Sequence, residues 1–133
     1  MMNERIKHPD KKNALSIINA AEREMNYTLK ISINGESAFN IIRNVYECFR
    51  MIGDARLISR GVFSQDHVTQ IRELEKIQVK TDRPIRLIDS LRKIRHNINY
   101  YGYIPSKAEA EDAVSIAKAC FKPLLEAIRK EIS

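Results

Sequence analysis

Residues 38–52 read AFNIIRNVYECFRMI. Apolar residues recur in this stretch at alternating steps of four and three, which is the spacing of one face of an α-helix. The stripe consists of Ala38, Ile42, Val45, Phe49 and Ile52, and Tyr46 and Cys48 flank it. It predicts the most apolar helix of the chain, from about Glu36 to just before Gly61. Gly53 lies inside this helix and is a candidate position for a bend.

The same period continues on both sides of this helix. It predicts a first helix from about Asp10 to Leu29, opening after Pro9, and a short third helix capped by Ser64. A fourth helix carries Leu87, Ile88, Leu91, Ile94, Ile98 and Tyr101, and Gly102 with Pro105 ends it. Ser106 and Glu109 form a capping box that starts a fifth helix, which contains Pro123 as a candidate kink.

These five segments, with no convincing strand, predict an all-α protein. The simplest arrangement is an antiparallel bundle of four long helices plus one short helix. At 133 residues, the chain is the size of one domain. We therefore expect residues 1–133 to form a single helical-bundle domain, with residues 1–9 flexible.

Composition limits the function classes. Hydrophobic residues make up 44% and charged residues 30%, which is typical of a compact soluble protein. The start has no apolar leader and no later run is long enough to span a membrane, so we expect a cytoplasmic protein without membrane contact. Cys48 and Cys120 lie on apolar stripes, which favours buried reduced thiols. Two lone cysteines make no zinc-binding pattern, and we expect no metal or cofactor.

Positive charge is concentrated before and within the fourth helix. The whole chain has a formal net charge of +6, and residues 80–96 alone hold six Lys or Arg against two Asp, a local excess of +4. Such an excess favours anionic partners, because cations that bind phosphates release counterions. An ordinary solvated surface remains the alternative.

Residues 91–103 read LRKIRHNINYYGY and contain the candidate site. Arg92, His96 and Asn99 stand at i, i+4 and i+7 and therefore share a strip beside the apolar face, while Arg95 lies at the border. A guanidinium stays charged and needs carboxylate, carbonyl or phosphate partners. Two interpretations remain open: an anion contact, or ion pairs with acids such as Glu109 or Glu111.

The tyrosines of this stretch differ in position. Tyr101 fits the apolar stripe and is expected in the core, whereas Tyr100 lies nearly opposite and is the best candidate for stacking on a nucleic-acid base. Tyr103 follows Gly102 and is expected to close the turn.

Residues 91–121, LRKIRHNINYYGYIPSKAEAEDAVSIAKACF, give the chain a resemblance to a known family. An all-α bundle with such a late helix resembles the HEPN family (higher eukaryotes and prokaryotes nucleotide-binding domains). In that family the helix typically reads Arg-Asn-x-x-x-His or Arg-x(4-6)-His, and one more long helix follows.

The resemblance implies a homodimer in which the motif helices of both copies meet in one cleft. Active members of the family are metal-independent ribonucleases, often toxins, whose arginine holds the scissile phosphate and whose histidine moves a proton. Placing Arg95 on the family arginine puts His96 where Asn is usual and Tyr100 where His is usual. Tyrosine, with an ordinary pKa near 10, is a poor base at neutral pH. Arg60 and His67 do have the family spacing, but they straddle two predicted helix boundaries and we attribute the match to chance.

Three hypotheses follow. The first is a homodimeric HEPN-like module without catalysis, which binds RNA, a nucleotide or an acidic partner through Arg92, Arg95, His96, Asn99 and Tyr100. The second is a toxin-type endoribonuclease that uses Arg95 with His96 or Tyr100. The third is a scaffold or assembly protein. A nucleotidyltransferase or an antitoxin as partner protein is left open.

Overall fold

The computed structural model describes the backbone of residues 4–133 and the side chains of residues 7–133. Most of this chain is helical, as the periodicity predicts. The helices are α1 (Lys11–Thr28), α2 (Ala38–Ile58), α3 (His67–Glu75), α4 (Ile88–Tyr101) and α5 (Lys107–Ile132), and a short 3-10 turn spans Ile85–Leu87. Two short strands, β1 (Glu4–Ile6) and β2 (Val62–Ser64), form an antiparallel pair.

Helix α2 lies at the centre of the molecule, because it contacts each of the other four helices. Helices α1 and α5 also contact each other, whereas α3 and α4 pack on α2. Every residue of the stripe in residues 38–52 is fully buried, and so is the flanking Tyr46. The stretch that predicts the most apolar helix therefore forms the middle of the hydrophobic core.

The helix ends follow local capping chemistry. Asp10 accepts a hydrogen bond from the Asn13 amide at 3.0 Å and begins α1. The capping box of α5 is complete, as predicted. The Glu109 amide donates to the Ser106 hydroxyl, and the Ser106 amide donates to the Glu109 carboxylate. Gly102 ends α4 in the left-handed conformation, at φ 64°.

The start of α3 differs from the prediction. Ser64 was expected to cap this helix, but it is the last residue of β2, and Asp66 is the cap, accepting from the Val68 amide at 2.9 Å. The Ser64 hydroxyl instead accepts a hydrogen bond from the Asp66 amide. Ser64 and Asp66 both precede the apolar pattern of α3, and either could cap the helix. Because Ser64 belongs to β2, Asp66 is the residue that caps it.

The strand pair was not predicted either, because three residues are too few for a period of two to be read from sequence. Residues 4–6, which were expected to belong to a flexible segment, pair here with residues 62–64. The Lys7 amide continues the contact by donating to the Gly61 carbonyl at 2.6 Å. Gly61 has φ 79° and a Cβ there would lie 2.0 Å from the Lys7 carbonyl oxygen, so glycine is required. Residues 1–3 lie outside the described residues.

Both cysteines are buried and free, as expected. None of the helices between residues 4 and 133 combines the length and the apolarity that crossing a membrane requires.

Candidate functional site

A cleft of about 450 Å³ opens where the start of α3 meets the exposed side of α4. It is lined by Gln65, Asp66, His67, Val68, Arg92, Arg95, His96 and Tyr100. Four of the five site residues named from the sequence therefore come together in one cleft. The fifth, Asn99, is exposed on α4 and does not line it.

Arg95 is the least engaged cation of the cleft. No carboxylate lies within ion-pair distance of its guanidinium anywhere in the described chain. Its Cζ lies 5.4 Å from the centre of the Tyr46 ring, which is a cation–π contact with a residue of α2. Of the two interpretations left open for Arg95, the ion pair with an acid such as Glu109 or Glu111 is absent, and the charge of Arg95 is free to act on a ligand.

Arg92 has a different environment. Its Nε donates to Asp89 Oδ1 at 2.7 Å, one turn earlier on α4. The ion-pair interpretation therefore holds for Arg92, with Asp89 as the acid instead of Glu109 or Glu111. Hydrogen bonding from Arg92 lowers the pKa of the Asp89 carboxyl. Both side chains are partly exposed, and an ion pair of this kind contributes little to stability. Arg92 therefore lines the cleft as a cation whose charge is partly balanced by Asp89.

His67, whose spacing from Arg60 was attributed to chance, is the cleft residue that the sequence did not place in the candidate site. It is the first residue of α3 and lines the cleft opposite the α4 residues. Burial lowers its pKa, and the positive charges of Arg50 and Arg95 lower it further. The neutral imidazole therefore predominates at pH 7 and can accept a proton or a hydrogen bond.

The match of Arg60 and His67 to the family spacing does not bring the two side chains to one site. Arg60 bonds the buried Glu73, whereas His67 lies in the cleft. No sequence pattern marks His67 as a neighbour of Arg95, because the two residues belong to different helices.

Aromatic rings form one end of the cleft. The His96 and Tyr100 ring centres are 4.6 Å apart, and the His96 and Tyr101 ring centres are 5.9 Å apart. Tyr100 is 71% exposed, as predicted. Tyr101 is 76% exposed, so its predicted place in the core is wrong. Tyr103 closes the turn, as expected, because its hydroxyl donates to Glu109 Oε1 at 2.6 Å.

The acids near the cleft are occupied by other contacts. Asp66 caps α3 through the Val68 amide and also accepts from the Thr69 hydroxyl at 3.2 Å. Glu47 on α2 binds Arg50. The cleft presents two guanidiniums, two imidazoles and an exposed phenol ring beside the Asp66 carboxylate, and no carboxylate of the described chain lies within ion-pair distance of Arg95. This combination is suited to a phosphate-bearing ligand with an aromatic group beside the phosphate.

Within residues 4–133, no three His, Cys, Asp or Glu side chains are grouped so that they could hold a metal ion. Comparison with protein-family models, with curated proteins and with solved structures finds no match for the chain.

Proposed function

We propose that the protein is a HEPN-like RNA-binding module that holds RNA phosphates in the cleft between α3 and α4 without cleaving them. The observation that supports this most directly is the state of Arg95. A guanidinium without an acid partner, placed in a cleft with a second arginine and two histidines, has unused hydrogen-bond donors and unused charge.

The chemistry of the cleft favours RNA over an acidic protein partner. The arginine fork bonds two phosphate oxygens at once, and the exposed Tyr100 and Tyr101 rings beside it offer flat surfaces to unpaired bases. Single-stranded RNA carries an unpaired base next to each phosphate, so one strand can contact the arginine and a tyrosine ring together. The local excess of positive charge in residues 80–96 adds long-range attraction.

The first prediction concerns Arg95 and is tested by fluorescence anisotropy with a labelled single-stranded RNA. Affinity should fall as salt rises from about 50 to 200 mM, because binding releases counterions. Arg95→Ala should weaken binding about 10-fold and reduce the slope of log affinity against log salt by about 1. The matched control is Arg23→Ala, which removes an exposed arginine of α1, a helix that packs mainly against α2 and α5.

Arg23→Ala should bind RNA like the wild-type protein. A wild type that does not bind RNA, or an Arg95→Ala variant that binds with unchanged affinity and salt slope, would contradict the proposal.

The HEPN-like part of the proposal rests on the order of the helices and on the position of Arg95 in the fourth of them. With it we propose an antiparallel four-helix arrangement and a homodimer in which the cleft of each copy faces the other. A nucleotidyltransferase or an antitoxin as a further partner is part of the same proposal.

A second candidate function, a metal-independent endoribonuclease, is favoured by the presence of two histidines in the cleft. In RNA cleavage of this kind the 2′-oxygen attacks phosphorus, a base takes the 2′-hydroxyl proton, and an acid protonates the leaving 5′-oxygen. His67 is neutral and suited to take the proton, and His96 lies across the cleft as the candidate acid. Arg95 would stabilise the charge on the phosphate oxygens.

The second prediction separates the two candidate functions. If the protein is a ribonuclease, wild type should cleave single-stranded RNA in EDTA, and His67→Gln should lose at least about 100-fold in rate while still binding RNA. His8→Gln, which changes an exposed histidine before α1, is the control and should keep full activity. Intact RNA at high wild-type concentration would eliminate this candidate and leave the binding module.

A further inference from the structure

The hydroxyl of Tyr46 is the one buried side-chain oxygen or nitrogen of the described residues that has no hydrogen-bond partner. Tyr46 lies on α2 and its side chain is fully buried. A buried polar group without a partner is costly, and native proteins satisfy nearly all of them. The exception therefore calls for a specific explanation.

The position of Tyr46 supplies one. Arg95 of α4 lies over its ring, and the centre of the His67 ring, from α3, is 6.1 Å from the centre of the Tyr46 ring. Both of these neighbours line the cleft. Tyr46 therefore lies directly behind the cleft wall, at the point where three helices meet.

The Tyr46 hydroxyl is surrounded by positively charged side chains. Burial raises the pKa of Tyr46 to about 12, while the positive charges of Arg95, Arg50 and Arg92 act in the opposite direction. The phenol therefore keeps its proton at neutral pH and is a donor. Arg50 is engaged with Glu47 and with the side-chain oxygen of Gln70, so Arg95 is the cation that a ligand would share with this hydroxyl.

We infer that the cleft ends in a subsite for one phosphate group, in which Arg95 supplies the charge and the Tyr46 hydroxyl donates a hydrogen bond. This inference rests on the proposed function. The hydroxyl is buried in the free protein, so binding requires Arg95, which lies over the Tyr46 ring in a weak cation–π contact, to turn toward the phosphate as it binds. A phosphate oxygen then satisfies the phenol that has no partner in the protein.

The test is Tyr46→Phe, which removes one oxygen and leaves the ring in place. Thermal unfolding should occur at the wild-type temperature or higher, because the hydroxyl bonds nothing in the free protein. Affinity for labelled single-stranded RNA should nevertheless fall about 10-fold or more, the loss expected for a hydrogen bond to a charged group. The control is Tyr27→Phe, at an exposed position of α1, and it should change neither quantity.

The outcomes separate this inference from the proposed function. If wild type does not bind RNA, both fail. If wild type binds RNA through Arg95 and Tyr46→Phe binds equally well, the phosphate subsite is overturned and the proposed function stands. This is the result expected if the Tyr46 hydroxyl bonds only water. A Tyr46→Phe protein that melts well below wild type would also overturn it, since the hydroxyl would then have a partner within the fold.

A measurement on the unmutated protein does not depend on that variant. The ¹³Cζ signals of the tyrosines are followed by NMR during addition of inorganic phosphate. The four other tyrosines are exposed, and the signal of each is assigned with its own Phe variant. The remaining signal belongs to Tyr46. A saturable shift of that signal is expected, and no shift at saturating phosphate would overturn the inference. Parallel titrations with a mononucleotide and with RNA lacking a terminal phosphate identify whether a phosphate monoester or a phosphodiester occupies the subsite.

Discussion

Arg92 and Arg95 show how two identical residue types, less than one turn apart on α4, differ in what they can do. Arg92 finds Asp89 on its own helix, and the pair is partly exposed. Arg95 faces α2, where it meets the Tyr46 ring and no acid. The helical wheel predicts that Arg95 lies at the border of the core, but the nature of its neighbour depends on which helix packs there.

The tyrosines of α4 show the limit of periodicity at the same scale. Tyr101 continues the apolar stripe of α4 by spacing, yet it is exposed, whereas Ile98, one turn earlier on the same stripe, is buried. A stripe indicates the direction in which a side chain points but not how far the neighbouring helix extends. The exposed face of Tyr100, in contrast, was predicted correctly.

At the scale of elements, the site depends on how closely α3 approaches α2. Gly53 lies in the second half of α2, and a Cβ at this position would be 2.1 Å from the carbonyl oxygen of Gln70. That atom is backbone and cannot move without α3. Gly53, which the sequence marked as a candidate bend, therefore serves as the contact point that lets α3 carry His67 to the cleft.

The prediction at this scale is that Gly53→Ala destabilises the protein. In an isolated helix the change would stabilise by about 1 kcal/mol. Here the added methyl group overlaps the backbone of α3, so we expect the free energy of unfolding to fall by about 2 kcal/mol, measured by urea denaturation. RNA affinity should fall as well, because α3 is displaced.

Gly35→Ala is the matched control for this prediction. No atom lies within 4 Å of a Cβ at Gly35, so its substitution should change stability by less than about 0.5 kcal/mol. Equal stability of the two variants would show that α3 does not pack on Gly53 in solution.

For the whole molecule, a buried carboxylate links helices that are distant in sequence. Glu73 of α3 is 1% exposed and binds Arg56 of α2, Arg60 and Lys76. Arg56 also holds Glu131 of α5 through two hydrogen bonds of 3.0 Å. Because buried charges require partners, this cluster fixes α3 and α5 on α2.

The cluster predicts a dependence of stability on pH. Burial alone would raise the pKa of Glu73, but hydrogen bonds from Arg60 and Lys76 outweigh it and lower the pKa. The stabilisation is therefore present above the ordinary carboxyl pKa of about 4.3 and is lost as the pH falls through the lower folded value. Glu73→Gln should cost about 3 kcal/mol at neutral pH, and less as the medium becomes acidic.

Urea unfolding of both proteins between about pH 7 and pH 3 measures this difference. Glu75→Gln, an exposed acid of the same helix with no ion pair in the described chain, is the control and should differ from wild type by less than about 0.5 kcal/mol. A cost for Glu73→Gln that stays constant across this range would contradict the role of the ionised carboxylate.

The sequence by itself determined the helical class, the apolar stripe of residues 38–52, and the helix ends at Gly102 and Ser106. These features depend on neighbours three or four residues apart, so they can be read along the chain. It also identified Arg92, Arg95, His96 and Tyr100 as candidates, because they lie within nine successive residues of one helix.

Only the tertiary structure decided what surrounds those residues. The pairing of β1 with β2, the place of His67 in the cleft and the unpartnered hydroxyl of Tyr46 all involve groups on different elements. Their proximity depends on packing of the apolar faces and on a close contact at Gly53. Contacts between distant segments leave no period in a single sequence, and for that reason Arg95 could be located on its helix but its missing acid partner could not be predicted.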